Sequence, residues 1–251
     1  MSELLIVIVG MIIGTIASLV GIGGGVFFVP ILYFIFHLEI HECVGTSLFA
    51  ILFLSSSAFL QYSKQKKVNY KIALLLEVPT ATGAYLASLA TANLPAFLIR
   101  ALYALVLYVI ALSLLRSVKQ GKSVEETVET AVPTRRILFG MLISFLVGLI
   151  AGTTGISGGV VKTPIMIIVL GLPTKIAVGT SSLMVFFTSL AGVLGHMQAG
   201  QIRYSYGFLL GMSAAIGAQV GTRLSRRTKG KTIRLILVII LIIVASNMLL
   251  N

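Results

Sequence analysis

Lys162 stands one turn beyond the sequence GISGG (Gly155–Gly159), in a stretch otherwise too apolar for a charge. An intramembrane ionisable residue is expensive and marks function by default. Its ammonium could hold an anion, or it could form a buried structural pair with Glu77, the carboxylate that lies deepest in apolar sequence. A second source of chemistry is glycine. GIGGG at Gly21–Gly25 interrupts a greasy segment much as GISGG does, and such clusters break a helix and allow backbone to approach closely. The helix that follows each turn begins with free N–H groups at its positive dipole end. Two such turns entering from opposite faces would converge on one anion-friendly centre, lined by Gly23, Gly24 and Gly25 and by Ser157, Gly158 and Gly159.

Hydroxyls complete the set. The sequence VGTS occurs at Val44–Ser47 and again at Val178–Ser181, so Thr46, Ser47, Thr180 and Ser181 could face a cavity. Ser and Thr also bond their own helix carbonyls, a purely structural alternative. Gly10/Gly14 and Gly148/Gly152 read instead as small-xxx-small pairs for close helix packing.

Other chemistries fail. His37, Glu39, His41 and Glu42 share a short loop without a matching ligand set elsewhere, and the chain contains no Asp, so no metal site is expected. GIGGG lacks the last glycine, the strand and the acidic residue of a dinucleotide fingerprint. No Ser-His-Asp or Cys-His arrangement can be assembled, and Cys43, the only cysteine, forms no intramolecular disulfide. Neither a cofactor nor an enzymatic activity is expected.

The elements that must position these residues are membrane helices. The 251 residues are 57% hydrophobic and 10% charged, with a mean hydropathy of +1.06, against roughly a quarter charged in soluble domains. Apolar runs of roughly bilayer-spanning length follow one another along the chain. The segment Gly24–Phe36 is shorter, about 20 Å as a helix against a core of roughly 30 Å. Residues 4–37 therefore read as a helical hairpin with its turn inside the bilayer, and 138–171 as its twin. The net charge of +12 sits in short loops, which fits the positive-inside rule and a lipid bilayer as partner rather than nucleic acid.

The chain is duplicated. Residues 14–30 align with 148–164 at an offset of 134, with nine of seventeen positions identical. The same offset superposes both VGTS stretches, Tyr70 on Tyr204, Gly83-Ala84 on Gly217-Ala218, and Arg100 on Arg234. Residues 1–117 form a first transmembrane repeat, 118–137 a polar cytoplasmic linker with Glu125, Glu126 and Glu129, and 138–251 a second repeat. Lys64, Lys66, Lys67 and Lys71 mark the loop after the third segment of the first repeat, whereas its partner carries only Arg203. The following loop, uncharged in the first repeat, is basic in the second, with Arg223, Arg226, Arg227, Lys229, Lys231 and Arg234. Five segments per repeat, with the repeats inverted, place sixteen of the nineteen basic residues at the cytoplasmic face and both termini outside. The expected fold is an all-α polytopic membrane protein with two inverted repeats of about five helical segments.

The duplicated G-x-G/S-G-G-x(4)-P followed by VGTS resembles the sulfite exporter TauE/SafE family of membrane permeases, over nearly the whole chain. That resemblance implies a transporter of sulfite, sulfoacetate or a related sulfur-containing organic anion across the cytoplasmic membrane. Alternating access would occur about a central site between the hairpin turns. A channel-like anion pathway is the alternative within transport, and a membrane-embedded enzyme the alternative outside it. The repeats differ where Phe28 matches Lys162 and Glu39-Ile40 matches Pro173-Thr174, so the site should be chemically asymmetric.

Overall fold

The computed structural model describes residues 2–20, 24–120, 133–224 and 230–250; the turn residues 21–23, most of the polar linker and part of the last basic loop lie outside them. The described residues form ten helices and no strand. They are α1 (Ser2–Val20), α2 (Gly25–Phe34), α3 (Ile40–Lys64), α4 (Tyr70–Thr91) and α5 (Ala96–Gln120), then α6 (Thr134–Thr154), α7 (Gly159–Ile168), α8 (Thr174–Gln198), α9 (Tyr204–Leu224) and α10 (Gly230–Leu250). The duplication carries through to the elements: both ends of α2 and of α3, moved by 134, fall on the ends of α7 and α8. Helix ends repeat too. His37 and Lys66 take the left-handed conformation where the second copy has Gly171 and Gly200.

Among the described residues five helices are long and apolar enough to cross a membrane: those at Ile40–Lys64, Tyr70–Thr91, Ala96–Arg116, Arg135–Thr154 and Thr174–Gln198. The distribution of side chains identifies the surrounding medium. Leu74, Leu142 and Ile239 are 68%, 62% and 59% exposed, whereas Thr46, Thr180 and Thr188 are fully buried. Large apolar side chains cover the outside while hydroxyls are buried within the apolar core, as a lipid surrounding demands. The molecule is an all-α polytopic membrane protein. Helices α2 and α7, ten residues each, reach only about 15 Å.

The two copies are interlocked rather than side by side. α1 packs along α9 and α4 along α6, in both cases between copies. Glycine permits the approach: Gly14 faces the Ala214 carbonyl, Gly148 that of Thr80 and Gly152 that of Ala84. The expected small-residue packing at Gly10/Gly14 and Gly148/Gly152 is therefore present, with Gly83 and Gly217 reciprocating from α4 and α9. In the centre α3 crosses α8, its equivalent in the other copy, and the two run antiparallel. Gly45 lies against His196, Leu48 against Gly192, and Tyr62 against Gly179. By this packing the ends that carry Lys64, Lys66, Lys67, Lys71, Arg135, Arg136 and Lys175 gather at one end of the bundle. Gly45, His196 and the Glu42–Arg203 ion pair (2.7 Å) lie at the other.

Candidate functional site

The GISGG turn is built by two left-handed glycines. Gly155 (φ 72°) ends α6 and donates to the Ala151 carbonyl at 3.0 Å, and Gly158 (φ 68°) precedes α7. These conformations disfavour any side chain. Gly24, which precedes α2, is right-handed (φ −73°), so the two turns are not copies in conformation at this position. Gly23 lies outside the described residues. The turns meet: a methyl group on Gly25 would sit 2.9 Å from the Gly155 carbonyl oxygen. From α3, the Ser47 hydroxyl donates to that same carbonyl at 3.1 Å.

Beside this contact is a cavity of about 100 Å³ walled by α3, α8, the end of α1, Ala218 of α9 and the starts of α2 and α7. It has room for a few waters or one small anion. Of the residues expected at the site, Gly24, Gly159 and Ser181 line it. Gly159 begins α7 and its carbonyl accepts from Thr163 (3.0 Å) and Ser181 (3.4 Å). Its N–H precedes the first bonds of the helix, from the Val161 and Lys162 N–H groups to the Gly158 carbonyl (3.0 and 2.9 Å), so the positive end of α7 is at the wall. Sequence reasoning missed Ser55, Gln61, Tyr62 and Ser182 on the same wall. Their signal was available: Ile51, Ser55, Ala58 and Tyr62 recur at helical spacing on one face of α3.

The remaining expected residues lie elsewhere. Thr46 accepts the Arg203 N–H (3.0 Å) just before α9, and Thr180 accepts the Asn69 N–H (2.9 Å) just before α4. The two bonds are related by the repeat offset, and each ties a helix of one copy to a helix start in the other. Ser157 and Gly158 are buried in the turn away from the cavity wall.

Lys162 is buried and off the cavity. Its ammonium donates to Glu77 Oε2 on α4 at 2.8 Å and to the Thr188 hydroxyl on α8. Thr188 in turn donates to Glu77 Oε1, with the Met184 carbonyl as the other acceptor in reach. The cluster thus joins α4, α7 and α8 through a neutralised pair. The matching positions in the opposite copy, Phe28 and Leu54 in the first and Gly211 in the second, are uncharged, so the asymmetry expected at Phe28 and Lys162 extends to three helices. Glu77 also borders a larger groove of about 660 Å³ between α3, α4 and α8. Its walls are mostly apolar side chains with Ser56 and Tyr70, and its one acidic group, Glu77, is already neutralised by Lys162, so the groove offers an anion no free positive charge among the described residues.

Comparison with known proteins agrees with this architecture. The profile of the family described as Sulfite exporter TauE/SafE matches residues 6–248. The chain is 29% identical to the Probable membrane transporter protein YunE of Bacillus subtilis, covering 99% of this chain and 98% of that one. It is 28% identical to the Probable membrane transporter protein MJ0441 of Methanocaldococcus jannaschii, over 93% and 90% of the two chains. An Arabidopsis thaliana protein, Sulfite exporter TauE/SafE family protein 6, is 32% identical over 45% of this chain and 27% of its own. No solved structure matches. The extent of the match places the chain in the sulfite exporter TauE/SafE family of membrane transporters.

Proposed function

We propose that the protein is a secondary transporter that exports sulfite or a related small sulfur-containing anion across the cytoplasmic membrane by alternating access. The observation that carries this reading is the convergence of both duplicated turns on one cavity, where Gly24 and Gly159 lie with Ser181. The antiparallel pairing of α3 with α8 supports inversion of the repeats. The gathering of basic helix ends at one end supports a cytoplasmic assignment for that end.

Among the described residues no charged side chain lines the cavity. The anion is therefore held by neutral donors: the Tyr62 phenol, the Gln61 amide, rotatable Ser and Thr hydroxyls, and the N-terminus of α7. Hydrogen bonds to an ionised acceptor are roughly twice as strong as neutral ones, so such a set can bind an anion without a cation. A weakly held anion also leaves easily, as turnover requires. Lys162 acts at a distance in this reading, locking α7 in place through Glu77 and Thr188.

Equilibrium binding to purified protein tests the assignment, with sulfite, sulfate, thiosulfate and sulfoacetate as ligands. Saturable binding of a sulfur anion that weakens in both Ser181→Ala and Tyr62→Phe supports the site. Undiminished binding in both variants moves the ligand elsewhere.

A further inference from the structure

The cavity has a counterpart that is shut. Shifting its lining residues by the repeat offset of 134 carries Ser55 to Ser189, Ala58 to Gly192, Gln61 to Gly195, Tyr62 to His196 and Ser18 to Gly152. All five counterpart positions are buried. Four of them lie on the half of α8 nearer the Glu42–Arg203 end and Gly152 lies in the last turn of α6, whereas the open cavity lies on the halves of α3 and α8 nearer the lysines.

What closes the counterpart can be named contact by contact. The Leu48 side chain fills the space over Gly192, and Ser88 of α4 does so over Gly195. His196 Nε2 lies 2.9 Å from the Gly152 carbonyl oxygen. A carbonyl only accepts, so Nε2 carries the proton and donates across to the last turn of α6. His196 Nδ1 lies 2.7 Å from the Gln201 side chain, which fixes the ring from its other edge.

Ser189 is the anomaly. Its hydroxyl is fully buried and has no hydrogen-bond partner among the described residues, whereas its twin Ser55 lines the open cavity and donates to the Ile51 carbonyl at 2.7 Å. A buried hydroxyl left without a partner is destabilising and calls for an explanation. A position whose twin faces ligand space in this structure provides one: the hydroxyl is satisfied in a second arrangement, where water or ligand reaches it.

We infer that the protein contains a second half of the substrate path, facing the membrane side opposite the lysine-rich end. It is pseudo-symmetric to the open cavity and offers the Ser189 hydroxyl to the same small oxyanion. In this structure the Leu48–Gly192 and His196–Gly152 contacts close it. The inference rests on the transporter reading, but its test reads accessibility and needs no substrate.

In full-length protein carrying Cys43→Ala, Ser55→Cys and Ser189→Cys are made separately and treated in membrane vesicles with an impermeant maleimide from each side. Ser55→Cys is labelled from the side of Lys64. Ser189→Cys is labelled slowly, and from the opposite side. Adding His196→Ala, or independently Leu48→Ala, raises Ser189→Cys labelling about tenfold and lowers that of Ser55→Cys, as expected when one buried contact is removed from a two-state equilibrium. Absence of Ser189→Cys labelling in both latch variants, each eluting as folded protein, overturns the inference. So does labelling of both cysteines from one side. The expected labelling pattern without sulfur-anion flux would support the second half-path and count against the substrate instead.

Discussion

A methyl group on Gly25 would lie 2.9 Å from the carbonyl oxygen of Gly155, so the duplicated turns of the two repeats touch in the middle of the molecule. Each turn alone would leave backbone polar groups at membrane depth. Here side chains satisfy part of that backbone: Ser47 donates to the Gly155 carbonyl and Tyr103 to that of Val26, beside the cavity that an anion could enter.

That contact predicts a specific sensitivity. Gly25→Ala forces apart the two turns at a backbone atom that cannot swing aside, and overpacking of this kind costs about 1–3 kcal/mol. Gly158→Ala is destabilising for a different reason, its φ of 68°. Thermal unfolding in detergent should show both losses, with transport reduced beyond what the lost protein explains. Wild-type stability and flux in Gly25→Ala would show that the turns need not touch.

The Lys162–Glu77 pair should behave as a structural unit. Removing one partner leaves a buried charge, at a cost of about 3–5 kcal/mol, whereas replacing both with apolar residues is often neutral. Lys162→Met and Glu77→Leu should each lower the unfolding temperature, and the double variant should recover most of the loss while still binding anion. A stable Lys162→Met variant that has lost anion binding would return the lysine to the substrate site.

The twin threonines make a matched prediction. Thr46→Val and Thr180→Val each remove the acceptor for an N–H at the start of a helix in the other repeat. Loss of such a cap costs about 1 kcal/mol, and Thr→Ser should restore it. Denaturation midpoints of the four variants decide the point. Unequal losses at the two positions would mean that the repeats differ in more than their turns.

Much of this architecture was legible from the 134-residue offset. It implied helices of equal register, and α2 with α7 and α3 with α8 obey it to the residue. The glycine pairs were legible because small residues four apart have few other uses in membrane helices. Less legible was the destination of the hydroxyls. Ser47 and Ser181 hold the same place in the duplicated tetrad, yet one donates to the Gly155 carbonyl and the other lines the cavity. That difference depends on which helix lies opposite, and local periodicity carries no record of it. Glu77 could be named as a partner for Lys162 because both are charged. Thr188, one of many threonines, could not.

Helix directions yield a topological prediction. Single cysteines at Lys64 and Lys175 should react with an impermeant reagent from one side of the membrane, and a cysteine at Gln198 from the other, because α3 and α8 run antiparallel. Reaction of all three from the same side would contradict the inverted arrangement.

The most direct test of the central claim is counterflow in proteoliposomes. Vesicles loaded with unlabelled sulfite and diluted into a trace of labelled sulfite should accumulate label transiently above equilibrium. The effect should saturate with sulfite and be strongly reduced in Ser181→Ala. Flux that rises linearly with concentration and shows no counterflow would indicate a channel, and absence of flux for sulfite and every organosulfonate tried would contradict the assigned substrate class.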